Sequence, residues 1–112
     1  MKDLWIQFQP ARAPLLPVAK FVEMMQVFAS REQLSLSMHD GDDDGPYINF
    51  GFAAEDWEPI WKRLSEFLQL DSSPNSEIAN SLIVTGEIDA ATEKYWLLHH
   101  YDGVEEGARG QI

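Results

Sequence analysis

The spacing of apolar residues switches between two periods along this chain of 112 residues, and no other feature constrains the fold as strongly. An apolar residue at every second position indicates a strand with one buried face, whereas apolar residues at i, i+3, i+4 and i+7 indicate an amphipathic helix. Leu4, Ile6 and Phe8 follow the first pattern, and Pro10 ends it. Residues 18–28 follow the second pattern, so a helix is predicted after the first strand.

The middle of the chain continues this switching of periods. Residues 34–39 and 47–52 alternate again and predict two strands of a hairpin, joined by an acidic loop at 40–46. A second helix is predicted over residues 55–68, with Pro59 in its first turn, where proline is tolerated. The apolar stripe of this helix consists of Trp57, Ile60, Trp61, Leu64, Phe67 and Leu68.

Residues 81–88 and 95–101 predict two further strands, which completes the order β-α-β-β-α-β-β. This order predicts an α+β, ferredoxin-like sandwich with two helices on one face of a mainly antiparallel sheet. The length fits a single domain, predicted over residues 1–103. Residues 104–112 lack an apolar pattern and are predicted to form a flexible C-terminal tail.

The charge of the chain is strongly acidic. Nineteen Asp and Glu residues against eight Lys and Arg residues give a net charge of −11, which repels the phosphates of nucleic acid and attracts a basic protein partner. The absence of cysteine excludes disulfides, thiolate zinc sites and cysteine catalysis. No apolar run approaches the roughly 18 residues of a membrane helix, and the start lacks the apolar core of a signal peptide. We therefore predict a cytoplasmic protein with no membrane partner.

The acidic loop contains the most specific motif. Asp40, Asp42 and Asp44, followed by Gly45, are similar to the opening of an EF-hand calcium loop. The bidentate Glu that closes such a loop is absent, so no metal site is predicted, although a calcium-binding module stays open as an alternative. With Asp43, these aspartates could instead form an anionic docking patch or a solvated hairpin tip that resists edge pairing.

Aromatic residues are predicted on the opposite face of the sheet from the core. Trp5 alternates with the inward residues of the first strand, and Tyr47 has the same parity on the third strand. Either Tyr95 or Trp96 must share that face on the last strand. Such residues are good anchors for a protein partner, or they are covered in a homodimer.

Catalytic motifs are not found in the sequence. His99 and His100 are adjacent in a predicted strand and therefore point to opposite faces, so they cannot easily share a metal ion. The chain has no nucleophile elbow, P-loop or dinucleotide-binding motif. We therefore predict no enzymatic activity and no cofactor.

In its size, acidity and lack of cysteine, the whole chain resembles the small immunity proteins of bacterial toxin systems. Those proteins act in the cytoplasm and block a toxin domain, often a basic nuclease. The resemblance implies a protein-binding module whose acidic loop imitates a phosphate backbone, while its aromatic residues slow release of the partner. A small homodimeric or subunit scaffold protein is a further alternative. The predicted partner-binding residues are Asp40, Asp42, Asp43, Asp44, Trp5 and Tyr47.

Overall fold

The computed structural model describes residues 2–73, 75–89 and 94–101. Within these ranges the chain is an α+β protein with two α-helices and a five-stranded antiparallel sheet, as predicted. The predicted C-terminal tail lies outside the described residues. The elements are β1 (Leu4–Phe8), α1 (Val18–Glu32), β2 (Leu36–Asp42), β3 (Pro46–Phe52), α2 (Glu58–Phe67), β4 (Leu82–Asp89) and β5 (Lys94–His100), with short 3-10 turns at Pro10–Arg12 and Ala79–Ser81.

The strands lie in the order β2-β3-β1-β4-β5, and every neighbouring pair is antiparallel. β1 is therefore the central strand, paired with β3 on one side and with β4 on the other. Leu4, Ile6 and Phe8 are completely buried, as their alternation predicts. The intervening residues Trp5 and Gln7 consequently belong to the opposite face of the sheet.

Both helices cover the same face of the sheet. The Phe21 ring of α1 stacks on Phe8 of β1 with centroids 4.3 Å apart, and the Phe28 ring meets the Phe52 ring of β3 edge-on at 5.5 Å. Leu64 of α2 is fully buried in the same apolar cluster. No helix in the described part of the chain is long and apolar enough to cross a membrane.

The start of α2 differs from the prediction, because the helix begins at Glu58 rather than at residue 55. The preceding residue, Trp57, packs across Gly86 of β4, where any side chain would collide with the indole. Its ring nitrogen Nε1 donates a hydrogen bond to the backbone carbonyl of Glu87 at 2.7 Å. This contact ties Trp57 to the sheet, and Pro59 lies in the first turn of the helix as predicted.

Leu64→Ala is expected to lower the free energy of unfolding by about 2–5 kcal/mol, because it leaves a cavity between α2 and the sheet. Lys62→Ala is the matched control, since Lys62 is exposed on the same helix, and it should change stability by less than about 0.5 kcal/mol. Urea denaturation measures both values. Equal midpoints for the two variants would contradict the placement of Leu64 in the core.

Candidate functional site

The hairpin of β2 and β3 has a shorter loop than the sequence predicts. Pairing continues along both strands as far as Asp42 and Pro46, so only residues 43–45 form the turn. Asp40 thus belongs to a strand, and the prediction of a loop over residues 40–46 is wrong. The physical reason is that β2 lies at the edge of the sheet, where polar side chains remain in solvent while the backbone still pairs with β3.

The turn between the two strands is held by short-range hydrogen bonds. The backbone N–H of Gly45 donates to Oδ1 of Asp42 at 3.3 Å, and the backbone N–H of Asp43 donates to the Gly45 carbonyl at 3.0 Å. Asp44 has a φ of 58°, a left-handed conformation that Asp and Asn tolerate better than other residues with a side chain. The aspartates of this turn therefore fit its backbone geometry as well as supplying charge.

The four predicted aspartates do not form one patch. Asp40 pairs with Ile48, and Asp42 pairs with Pro46, so the register places both side chains on the face that carries the helices. Asp43 and Asp44 lie in the turn and line a cleft on the other side of the sheet. All four are exposed. In the described ranges no group of three acidic or histidine side chains comes together to hold a metal ion.

The two predicted aromatic anchors, Trp5 and Tyr47, do lie on one face. Each pairs directly with a glycine of the neighbouring strand, Trp5 with Gly51 and Tyr47 with Gly41. Each ring covers its glycine so closely that a Cβ on Gly51 would lie 2.6 Å from Trp5 Cζ3, and one on Gly41 would collide with the Tyr47 ring. Both rings are consequently half-buried and held against the sheet.

A cleft of about 280 Å³ crosses the helix-free face of the sheet. None of its lining residues carries a charge, although the chain as a whole is strongly acidic. Of the two aromatic candidates on the last strand, Tyr95 joins this face, whereas Trp96 pairs with Gly86 on the helix-covered side and is 43% exposed. The lining residues are Trp5, Gln7, Asn49, Ile83, Thr85 and Tyr95.

A second cleft, of about 390 Å³, separates the hairpin turn from the 3-10 turn at Pro10–Arg12. Its wall includes Tyr47, Asp43 and Asp44, and Gln7 lines both this cleft and the first. The two clefts therefore adjoin one another. We call the surface formed by both clefts the open face. It combines neutral aromatic and amide groups with an acidic turn at one end, and Arg12 lies across the second cleft from that turn.

Arg12 and the polar residues of the open face were not predicted from the sequence. The Arg12 guanidinium lies 3.6 Å from the centre of the Tyr101 ring, and its Nε donates a hydrogen bond to the Asn80 carbonyl at 3.1 Å. Arg12 thus supplies a cation on the wall of the second cleft opposite the acidic turn. The alternation along β1 and β3 indicates from the sequence which face of the sheet Gln7 and Asn49 occupy, but the position of Arg12 depends on long-range packing.

The two adjacent histidines are not brought into one site. His99 pairs with Val84 and His100 with Ile83, which places their side chains on opposite faces, as predicted. The Nε2 atom of His99 lies 2.8 Å from the Ala79 carbonyl. This contact gives His99 a structural role at the end of the sheet.

The variant with Asp42, Asp43 and Asp44 all replaced by Asn should keep the stability of the wild type within about 0.5 kcal/mol, or exceed it. An Asn oxygen can still accept the Gly45 hydrogen bond, Asn tolerates the left-handed backbone, and like-charge repulsion is removed. Thermal unfolding at low and high salt measures the effect. A clear loss of stability would mean that the carboxylates hold the fold together.

Searches of protein-family models, of curated proteins and of solved structures find no match to this chain.

Proposed function

We propose that this chain is a protein-binding module, an immunity protein that inhibits a basic bacterial toxin domain, in the way implied by its resemblance to small acidic immunity proteins. The observation that carries the proposal is the open face, where Tyr47 lies beside the turn formed by Asp43 and Asp44 and Trp5 lines the adjoining cleft. Anchoring groups and a source of electrostatic attraction thus adjoin on one surface.

The charges of the hairpin turn support attraction of a cationic partner. Asp42, Asp43 and Asp44 are exposed, and none of them forms an ion pair with another residue that the structure describes. They belong to a chain with a net charge of −11, so their field adds to that of the whole molecule. Such a field accelerates the encounter with a protein of opposite charge.

The aromatic residues support retention of the partner after the encounter. Trp5 and Tyr47 are already held against Gly51 and Gly41 before anything binds. Binding therefore costs little additional ordering of these side chains. Preformed Trp and Tyr side chains next to a cleft are typical of the residues that contribute most to protein–protein affinity.

We also propose that the fold is a ferredoxin-like sandwich to which β5 is added. The strand order supports this, because β1 and β2 flank β3, while β3 and β4 flank β1. Each β-α-β unit is thus split by one antiparallel strand, as in the ferredoxin-like motif.

The proposed role is binding without catalysis, in the cytoplasm, as the resemblance implies. Two groups that could take part in nucleophilic chemistry are engaged by backbone carbonyls: the Ser81 hydroxyl donates to Ile78 at 2.9 Å, and the His99 ring contacts Ala79. These contacts support structural roles for both side chains.

The triple variant Asp42→Asn, Asp43→Asn, Asp44→Asn should bind the partner with a lower association rate constant, because it loses charge that steers the encounter. The wild-type rate should fall as salt rises, since exposed charges are screened beyond about 8 Å at physiological ionic strength. The measurement is stopped-flow association with the basic protein that co-purifies with the wild-type chain. Equal association rates at low salt would refute the steering role.

Gly41→Ala should separate anchoring from steering, because the added methyl group displaces the Tyr47 ring and changes no charge. We expect a faster dissociation of the same partner and an unchanged association rate. Tyr47→Phe is the matched control, since it keeps the ring over Gly41 and removes only the hydroxyl. If Gly41→Ala dissociates at the wild-type rate, Tyr47 is not an anchor.

A further inference from the structure

The outer side of β2 is an uncovered edge of the sheet. β2 pairs with β3 over seven consecutive residues, in a continuous register, and no other strand in the described ranges lies beside it. Natural proteins normally protect such edges with proline, charged side chains or a bulge, because a regular edge can accept another strand. β2 contains neither proline nor lysine, and its acidic residues Asp40 and Asp42 repel an acidic strand but attract a basic one.

Two hydrogen bonds establish which backbone groups of this edge face outward. The N–H of Ala53 donates to the Ser35 carbonyl at 3.0 Å, and the N–H of Asp43 donates to the Gly45 carbonyl at 3.0 Å. Both hydrogen bonds join residues that the β2–β3 register places opposite each other. Hydrogen-bonded pairs alternate with non-hydrogen-bonded pairs along an antiparallel ladder, so the odd-numbered residues from 35 to 43 direct their backbone N–H and C=O groups toward β3. The even-numbered residues direct theirs outward. These outward-facing residues are Leu36, Met38, Asp40 and Asp42.

The side chains of these four residues give the edge a distinct pattern. All four belong to the face that carries the helices, because they pair with residues of β3 on that side. Leu36 packs against the core, and Met38 is 44% exposed, while Asp40 and Asp42 are exposed and acidic. A strand added here would thus meet two apolar residues followed by two carboxylates.

We propose that β2 binds an extended basic segment of the partner as an added antiparallel strand. The segment places Lys or Arg opposite Asp40 and Asp42 and apolar side chains opposite Leu36 and Met38, with pairing through the outward backbone groups. Charge complementarity selects this occupant, because a second copy of the chain brings a further charge of −11 to the same edge. This inference rests on the proposed function, which makes the partner a basic protein, and it adds that the partner pairs with the backbone of β2.

The test uses the full chain, labelled with ¹⁵N, and the synthetic peptide Lys-Thr-Lys-Thr-Val-Thr-Val at millimolar concentration. Antiparallel pairing sets its two lysines opposite Asp42 and Asp40, and its two valines opposite Met38 and Leu36. We expect hydrogen exchange to slow at the amides of Met38 and Asp40 when the peptide is added. The amides of Ser37 and His39 already face β3 and should change little.

Two N-methylated peptides provide a matched comparison that leaves the protein unaltered. Methylation of the second lysine and the first valine removes donors that face β2, and it should weaken binding roughly tenfold or more. Methylation of the threonine backbone nitrogens removes donors that point away from β2, so it should leave the affinity unchanged. Equal affinities for the two methylated peptides would overturn the pairing.

Three other outcomes would overturn the inference. Binding without slowed exchange at Met38 and Asp40 would mean contact through side chains alone. Equal binding of a peptide with Glu in place of both Lys would remove the basis for a basic occupant. Sedimentation as a dimer without peptide, with the same amides protected, would assign the edge to a second copy.

The protein variant Met38→Pro tests whether the natural partner pairs with the same edge of β2. It removes an outward N–H and leaves the β2–β3 hydrogen bonds intact, so folding should persist, whereas Met38→Val keeps the N–H as control. Loss of partner binding only in the proline variant supports the edge. Unchanged partner binding in Met38→Pro, together with slower association of the triple Asn variant, overturns the edge inference while the proposed function stands.

Discussion

The register of β1 against its two neighbours is the constraint on which both faces of the sheet depend. Leu4, Ile6 and Phe8 are completely buried under the helices, and the same alternation delivers Trp5 and Gln7 to the open face. A shift of one residue would exchange the two sets and bury an amide where a phenyl ring now packs. The core and the candidate binding surface are therefore two products of one pairing, and a change of register in β1 would alter both together.

The charged groups of the turn that are proposed for recognition lie away from the groups that hold the fold together. The hairpin turn contributes charge without contributing to the apolar cluster, whereas α2 contributes Leu64 to that cluster and no residue to the open face. Substitutions in the turn can thus change charge at little cost in stability.

The fold was largely predictable from the sequence because the period of apolar residues is a local property. The stripe around Leu64 and the alternation in β1 each specify their element without knowledge of the rest of the chain. The end of β2 was not predictable in this way. Asp40 carries no apolar signal, and only its pairing with Ile48 extends the strand. The same limit applies to the candidate site. The face of the sheet on which Trp5 lies follows from the local alternation of apolar residues in β1. The cation–π contact of Arg12 with Tyr101 joins residues far apart in the chain, so no local pattern predicts it.

Three glycines in this sheet are each covered by an aromatic ring from a neighbouring element: Gly41 by Tyr47, Gly51 by Trp5 and Gly86 by Trp57. A side chain at any of these glycines would need the space that the ring occupies. The two members of each pair are therefore sterically coupled, because a larger residue at the glycine position is compatible only with a smaller or redirected residue at the aromatic position. We therefore expect related sequences to lose or keep each pair as a unit, so that an alignment of such sequences would show the three pairs covarying.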